Sequence, residues 1–116
     1  LNGDNHPAVA TSYSYIGQIY FAQNDYSKAL DYFKKSLNLD LSFFGENHPE
    51  VALSYYSIGS LYIIQGDKSK ALNYYEKSLK IRLSVYGENH PLTKEIMDLI
   101  NVAANSKVLQ SPETTK

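Results

Sequence analysis

The sequence repeats itself every 42 residues: residues 5–46 lie over 47–88 without a gap, and 24 of the 42 aligned pairs are identical. A third copy opens at Asn89-His90-Pro91 and fades after the length of one helix. A unit of this size cannot bury its own apolar face, so successive units have to stack and share a continuous core. Such an array offers an extended surface for holding other molecules rather than a pocket for transforming them.

Each unit reads as two helices. Pro7 and Pro49 stand at first helical positions, where the missing N–H removes nothing that the helix would use. The helices that follow are predicted to run to about Gln23 and Gln65. Asn24-Asp25 and Gly66-Asp67 supply the turns, since Asn and Gly tolerate positive φ. Asp25 and Asp67 are candidate caps for the second helices, with Ser27 and Ser69 in competition. The second helix of the first unit carries Ala29, Leu30, Phe33, Leu37 and Leu41 on one stripe and stops at Gly45; its counterpart stops at Gly87. A fifth helix over about 92–105 has Ile96, Leu99, Ile100 and Ala103 as its apolar stripe. In the second unit, Val51, Leu53, Tyr55, Tyr56, Ile58, Leu61, Tyr62, Ile63 and Ile64 cannot share one face of the first helix. A helix apolar on most sides is either buried on them or presents one for binding.

The expected organisation is therefore an array over 1–105, made of repeats 5–46 and 47–88 and a partial copy at 89–105. Residues 106–116 lose the periodicity and are expected to fray. Gly3-Asp4-Asn5-His6-Pro7 matches Gly45-Glu46-Asn47-His48-Pro49, so the chain is expected to begin inside a longer array.

Composition excludes several function classes. The formal net charge is −1, without the basic excess that phosphate neutralisation demands of a nucleic-acid binder. No apolar run approaches the ~20 residues of a membrane span, and the first residues, Leu1 to Pro7, carry neither the basic start nor the apolar stretch of a signal peptide. There is no cysteine, hence no disulfide and no thiolate metal site; a cytoplasmic setting is expected.

The spacing Tyr13-x-x-Ile16-Gly17-x-x-Tyr20 followed by Ala29-x-x-x-Phe33 recurs as Tyr55-x-x-Ile58-Gly59-x-x-Tyr62 followed by Ala71-x-x-x-Tyr75, with 12 residues from Gly to Ala in both. This pattern resembles the tetratricopeptide repeat. The small residues permit a close helix crossing, and the aromatics fill the space around it. The usual period of that family is 34 residues and its closing proline is missing here. The longer unit, with Gly-x-x-His-Pro before the next helix, is similar to the repeats of kinesin light chains and related adaptors. A HEAT or armadillo array has a comparable period but lacks this Gly and Ala-x-x-x-Phe arrangement. The resemblance implies an all-α, right-handed α–α superhelix of antiparallel helix pairs closed by a terminal helix.

No catalytic constellation accompanies the pattern. His6, His48 and His90 recur one per unit, too far apart for one ion on a stacked array, and are read as caps of the helices opened by the following prolines. Asp25, Asp67, Glu46 and Glu88 fall in turns at equivalent positions. Neither a Gly-x-Ser-x-Gly or Ser-x-x-Lys nucleophile nor a glycine-rich phosphate loop occurs. Lys77, Lys80 and Arg82, like Lys34 and Lys35, interleave with Glu76 and Asp31 and are read as a solvated outer face. The chain is read as neither an enzyme nor a metal or cofactor protein.

The resemblance implies that the first helix of each pair lines a concave groove. The groove positions are then Ser14, Gln18 and Phe21, with Thr11 and Ala22 beside them; Leu53, Tyr56, Ser60 and Ile63, with Ile64; and Asp98 and Val102, with Glu95 and Asn105. Its centre is apolar and aromatic, and its C-terminal edge acidic. Relatives that grip a terminal carboxylate use Lys, Arg and Asn at such positions, whereas Ser14, Gln18, Tyr56 and Ser60 stand here. The expected partner is a protein or peptide with apolar anchors that dock on Tyr56 and Ile63, held by a scaffold or adaptor that touches neither nucleic acid nor membrane. The second expectation is self-association through the outer face of the first helix, including Val9, Tyr13 and Ile16.

Overall fold

The turns between helices follow from local chemistry and repeat from unit to unit. Asn24 (φ 65°) and Gly66 (φ 83°) reverse the chain in the left-handed region. The aspartates that follow cap the next helices: Asp25 Oδ1 accepts from the Lys28 amide at 3.2 Å, and Asp67 Oδ1 from the Lys70 amide at 3.1 Å. Those helices end at Gly45 and Gly87, with φ of 79° and 88°. The next start is capped by histidine, as His48 Nδ1 accepts from the Glu50 amide and His90 Nδ1 from the Leu92 amide, both at 3.1 Å. Each imidazole lies flat on the last aromatic of the preceding helix, 4.0 Å from Phe44 and 4.2 Å from Tyr86 between ring centres.

The computed structural model describes residues 7–105. Among these residues it holds five helices and no strand: α1 (Pro7–Ala22), α2 (Tyr26–Phe44), α3 (Pro49–Ile64), α4 (Lys68–Tyr86) and α5 (Pro91–Asn105). Each helix of the second pair begins and ends 42 residues after its counterpart. His6 and the 106–116 segment lie outside the described residues.

Every helix packs on the next along the chain, α1 on α2 through to α4 on α5, as an α–α solenoid requires. Within a pair the crossing is closed by small residues. A Cβ added at Gly59 would lie 2.7 Å from the Tyr75 ring and 3.2 Å from the Ala71 carbonyl oxygen; at Gly17 it would lie 2.8 Å from the Phe33 ring. Ala29 and Ala71 have no accessible surface. A buried serine then ties the two helices together: Ser36 Oγ donates to the Ala10 carbonyl and Ser78 Oγ to the Ala52 carbonyl, each at 2.9 Å.

Between pairs, α2 packs on α3, which lies between α2 and α4 with Val51, Ile58, Leu61 and Tyr62 all buried. No described helix covers the matching face of α1. Leu61 is 0% exposed, and Ile19 at the equivalent position is 56% exposed. Full burial of such a side chain stabilises by about 1.5–3 kcal/mol, so equivalent positions of the two pairs are expected to contribute differently to stability.

Candidate binding groove

The stripe that α2 turns inward is Ala29, Phe33, Ser36 and Asp40, spaced 4, 3 and 4; α4 repeats it as Ala71, Tyr75, Ser78 and Arg82. Both stripes are buried to their last residue. Asp40 is 6% exposed and Arg82 3%. These two positions form the floor where one pair meets the first helix of the next unit, and they carry opposite charges.

At the first junction, Ser14 and Gln18 of α1 face Leu53 and Ser54 of α3 across a notch of about 170 Å³, with Thr11, Tyr15 and Glu50 at its rim. Asp40 and Ser36 of α2 lie beneath. Asp40 Oδ2 accepts from Ser54 Oγ at 3.3 Å. Burial first, and the charge of Glu50 second, hold the Asp40 carboxyl above the usual carboxylate range, against the Ser54 hydrogen bond and His48. Among the described residues, Asp40 forms no ion pair.

At the second junction the same slot is filled from within. The Arg82 guanidinium lies 5.5 Å from the centre of the Tyr56 ring. Its Nη1 donates to the Leu92 carbonyl at 3.0 Å and stands 3.8 Å from Glu95 Oε1. Thr93 Oγ1 donates to the Arg82 carbonyl at 3.2 Å, which fastens α5 to α4. Tyr56 is Ser14 shifted by one unit, and Glu95 is Leu53 shifted by one unit.

This corrects the reading of Arg82 as part of a solvated basic face. Lys77 and Lys80 are exposed, but Arg82 closes the 4-3-4 stripe and is buried. A long cation is tolerated there because a carboxylate, a carbonyl and an aromatic face meet it.

Of the expected groove residues, the structure brings Ser14, Gln18 and Leu53 together at the notch. Leu53 is 47% exposed in a helix otherwise covered on most sides. Tyr56 is half-buried, stacked on Tyr75 at 6.2 Å with Arg82 on its ring. Ser60 Oγ is 2.9 Å from Tyr75 OH. Ile63 is less available than expected, because it packs on the core cluster. Phe21 sits at the far end of α1, edge-on to Tyr26 at 5.6 Å. Asp98 and Val102 are exposed on α5, and neither lines the notch.

Sequence reasoning missed Asp40 as a site residue, and with it Ser54 and Glu50. The 4-3-4 spacing continued from Ala29 through Phe33 and Ser36 was the available signal. Among the described residues no three His, Asp or Glu side chains are placed to hold a metal ion. No helix among them is long and apolar enough to cross a membrane.

A family model described as tetratricopeptide repeat matches the chain twice, over residues 1–42 and 28–84. Comparison with curated proteins yields no match.

Proposed function

The chain belongs to the tetratricopeptide repeat family, whose repeats serve in general as non-catalytic scaffolds for protein–protein interaction, and we propose that this one holds a segment of a partner protein along the wall shared by α1, α3 and α5. The observation that carries the reading is Leu53. It is a large apolar side chain left open beside a notch, in the first half of the most deeply packed helix. Exposed apolar groups next to concave polar ones are what a peptide's anchor residues use. Tyr56 adds an aromatic shoulder, and Ser14, Gln18 and Ser60 supply hydrogen-bonding groups along the same wall. The notched wall suits a chain laid along it better than a small substrate. The 42-residue unit and its Gly-x-x-His-Pro junctions support a place among long-unit adaptors of the kinesin light chain kind, and the cysteine-free composition supports a cytoplasmic setting.

The test is selection from a random peptide library followed by affinity measurement. Leu53→Asp is expected to weaken the selected peptides at least about tenfold, the loss of one anchor, with unchanged helical circular dichroism. Unaltered affinity removes the reading.

A second reading is favoured by one observation. Tyr15 and Ile19 are exposed on α1, and Leu61, the counterpart of Ile19, is covered in α3 by the preceding pair. A second copy docking there would bury that face. Sedimentation would then show a concentration-dependent dimer that Ile19→Asp dissociates; a monomer at high concentration contradicts it.

A further inference from the structure

We propose that the notch between α1 and α3 receives a basic side chain, arginine or lysine, of the partner segment, with Asp40 as its counter-charge. The proposal rests on the groove reading above and adds the chemistry of one recognised residue.

Three observations converge on it. Asp40 is more than nine-tenths buried at the floor of the notch. Its Oδ2 accepts from a single hydroxyl at 3.3 Å, and among the described residues no ion pair meets the carboxylate; only the Ser54 hydrogen bond and the more distant charge of His48 favour its ionised form. A buried carboxylate in that condition is costly unless something meets it. His48 acts on Asp40 only through its charge and makes no ion pair with it, its Nδ1 accepting from the Glu50 amide and its ring stacking on Phe44.

The lining is built for a long cation. Glu50 adds a second negative charge at the rim, and no lysine or arginine lines the space. Ser14 and Gln18 offer oxygen acceptors, Leu53 an apolar wall for a methylene stem, and Tyr15 an exposed ring at the mouth. A volume of about 170 Å³ is several times the ~30 Å³ of one water, enough for a guanidinium or ammonium head with its last methylenes.

The molecule also contains its own demonstration. One unit later the equivalent of Asp40 is Arg82, whose guanidinium occupies the matching slot and is met by Tyr56, Glu95 and the Leu92 carbonyl. The slot geometry accepts a guanidinium when carboxylate and aromatic groups surround it. At the first junction the carboxylate is on the floor and no cation of the described chain pairs with it, which leaves the place to a basic side chain of the partner.

The experiment uses the full chain and a fluorescent peptide library, random except for one fixed position that is Arg, Lys or Ala. The wild-type protein is expected to enrich Arg or Lys over Ala at least about tenfold, the range of a charge-assisted, partly desolvated pair. Asp40→Asn keeps the shape and the Ser54 bond, and is expected to lose that preference while still binding the apolar peptides. Leu53→Asp loses the apolar peptides. Apolar selection without basic enrichment, or enrichment that survives Asp40→Asn, overturns this proposal alone. Failure to select any peptide overturns the groove reading and the proposal with it. A dimer that Asp40→Asn dissociates in sedimentation would assign the notch to a second copy and overturn it too.

Discussion

The two junctions of this molecule are built from equivalent helices of the repeat and carry opposite charges at the same position. Around the floor position, Ser36 and Ser78, Leu37 and Leu79, and Leu41 and Leu83 are identical pairs, yet Asp40 answers Arg82. At the second junction Arg82 finds its carboxylate on α5, and the slot is closed. At the first, Leu53 stands where Glu95 would be, and the slot is open. The repeat keeps what holds a pair together and varies what faces the inner wall. Closing one junction fastens the terminal helix, and the open one is where the proposed partner segment would lie.

The largest expected effect separates the outer face of α1 from the covered face of α3. Leu61→Ala should cost about 2–5 kcal/mol by creating a cavity in the shared core. Ile19→Ala at the equivalent, exposed position should change stability by less than about 0.5 kcal/mol. Urea unfolding of both variants checks the pair; equal losses would mean that the face of α1 is covered.

Next comes the charge contrast. Arg82→Met removes the bond to the Leu92 carbonyl and should cost about 1–2 kcal/mol, with amide exchange rising first in α5. Glu95 is half-exposed, so its loss of a partner adds little. Asp40→Asn should instead be neutral or stabilising at pH 7, because it removes a buried charge that has no ion pair among the described residues.

The pH dependence sharpens that contrast. The folded Asp40 pKa is raised above its unfolded value, so the folded state holds the proton more tightly. Its contribution to stability is present at low pH and is lost as pH rises from the ordinary aspartate pKa of about 3.9 through the raised folded value. The stability advantage of Asp40→Asn over wild type should therefore grow across that window and be flat above it. A gap that shrinks as pH rises would contradict the assignment.

The smallest effect tests where the junctions agree. His48→Ala and His90→Ala should each cost about 0.5–1 kcal/mol for loss of an N-cap, and the two losses should match within error by urea unfolding.

Much of the frame was legible before any coordinates. Asp25 and Asp67 cap, Gly45 and Gly87 stop, and Gly17 and Gly59 admit the crossing, because each of these roles is local and depends on residue type. His48 and His90 cap as their place before proline implied. The floor was not legible in the same way. Lys77, Lys80 and Arg82 look alike along the chain, and only the partners brought by α3 and α5 separate a buried arginine from two exposed lysines. Asp40 was hidden for the same reason, since its surroundings come from two other helices. Ile63 shows the converse. It was expected on the groove wall, but it packs against the core, which depends on how deeply α3 sits between α2 and α4.

The central claim is that the wall between α1 and α3 is where a partner lies. Amide chemical-shift mapping with the tightest peptide from the basic library tests it most directly. The account predicts shifts concentrated at Ser14, Gln18, Asp40, Leu53, Ser54 and Tyr56, with Lys28, Tyr32 and Lys35 on the opposite side unmoved. Shifts confined to that opposite side, with the wall silent, would contradict it.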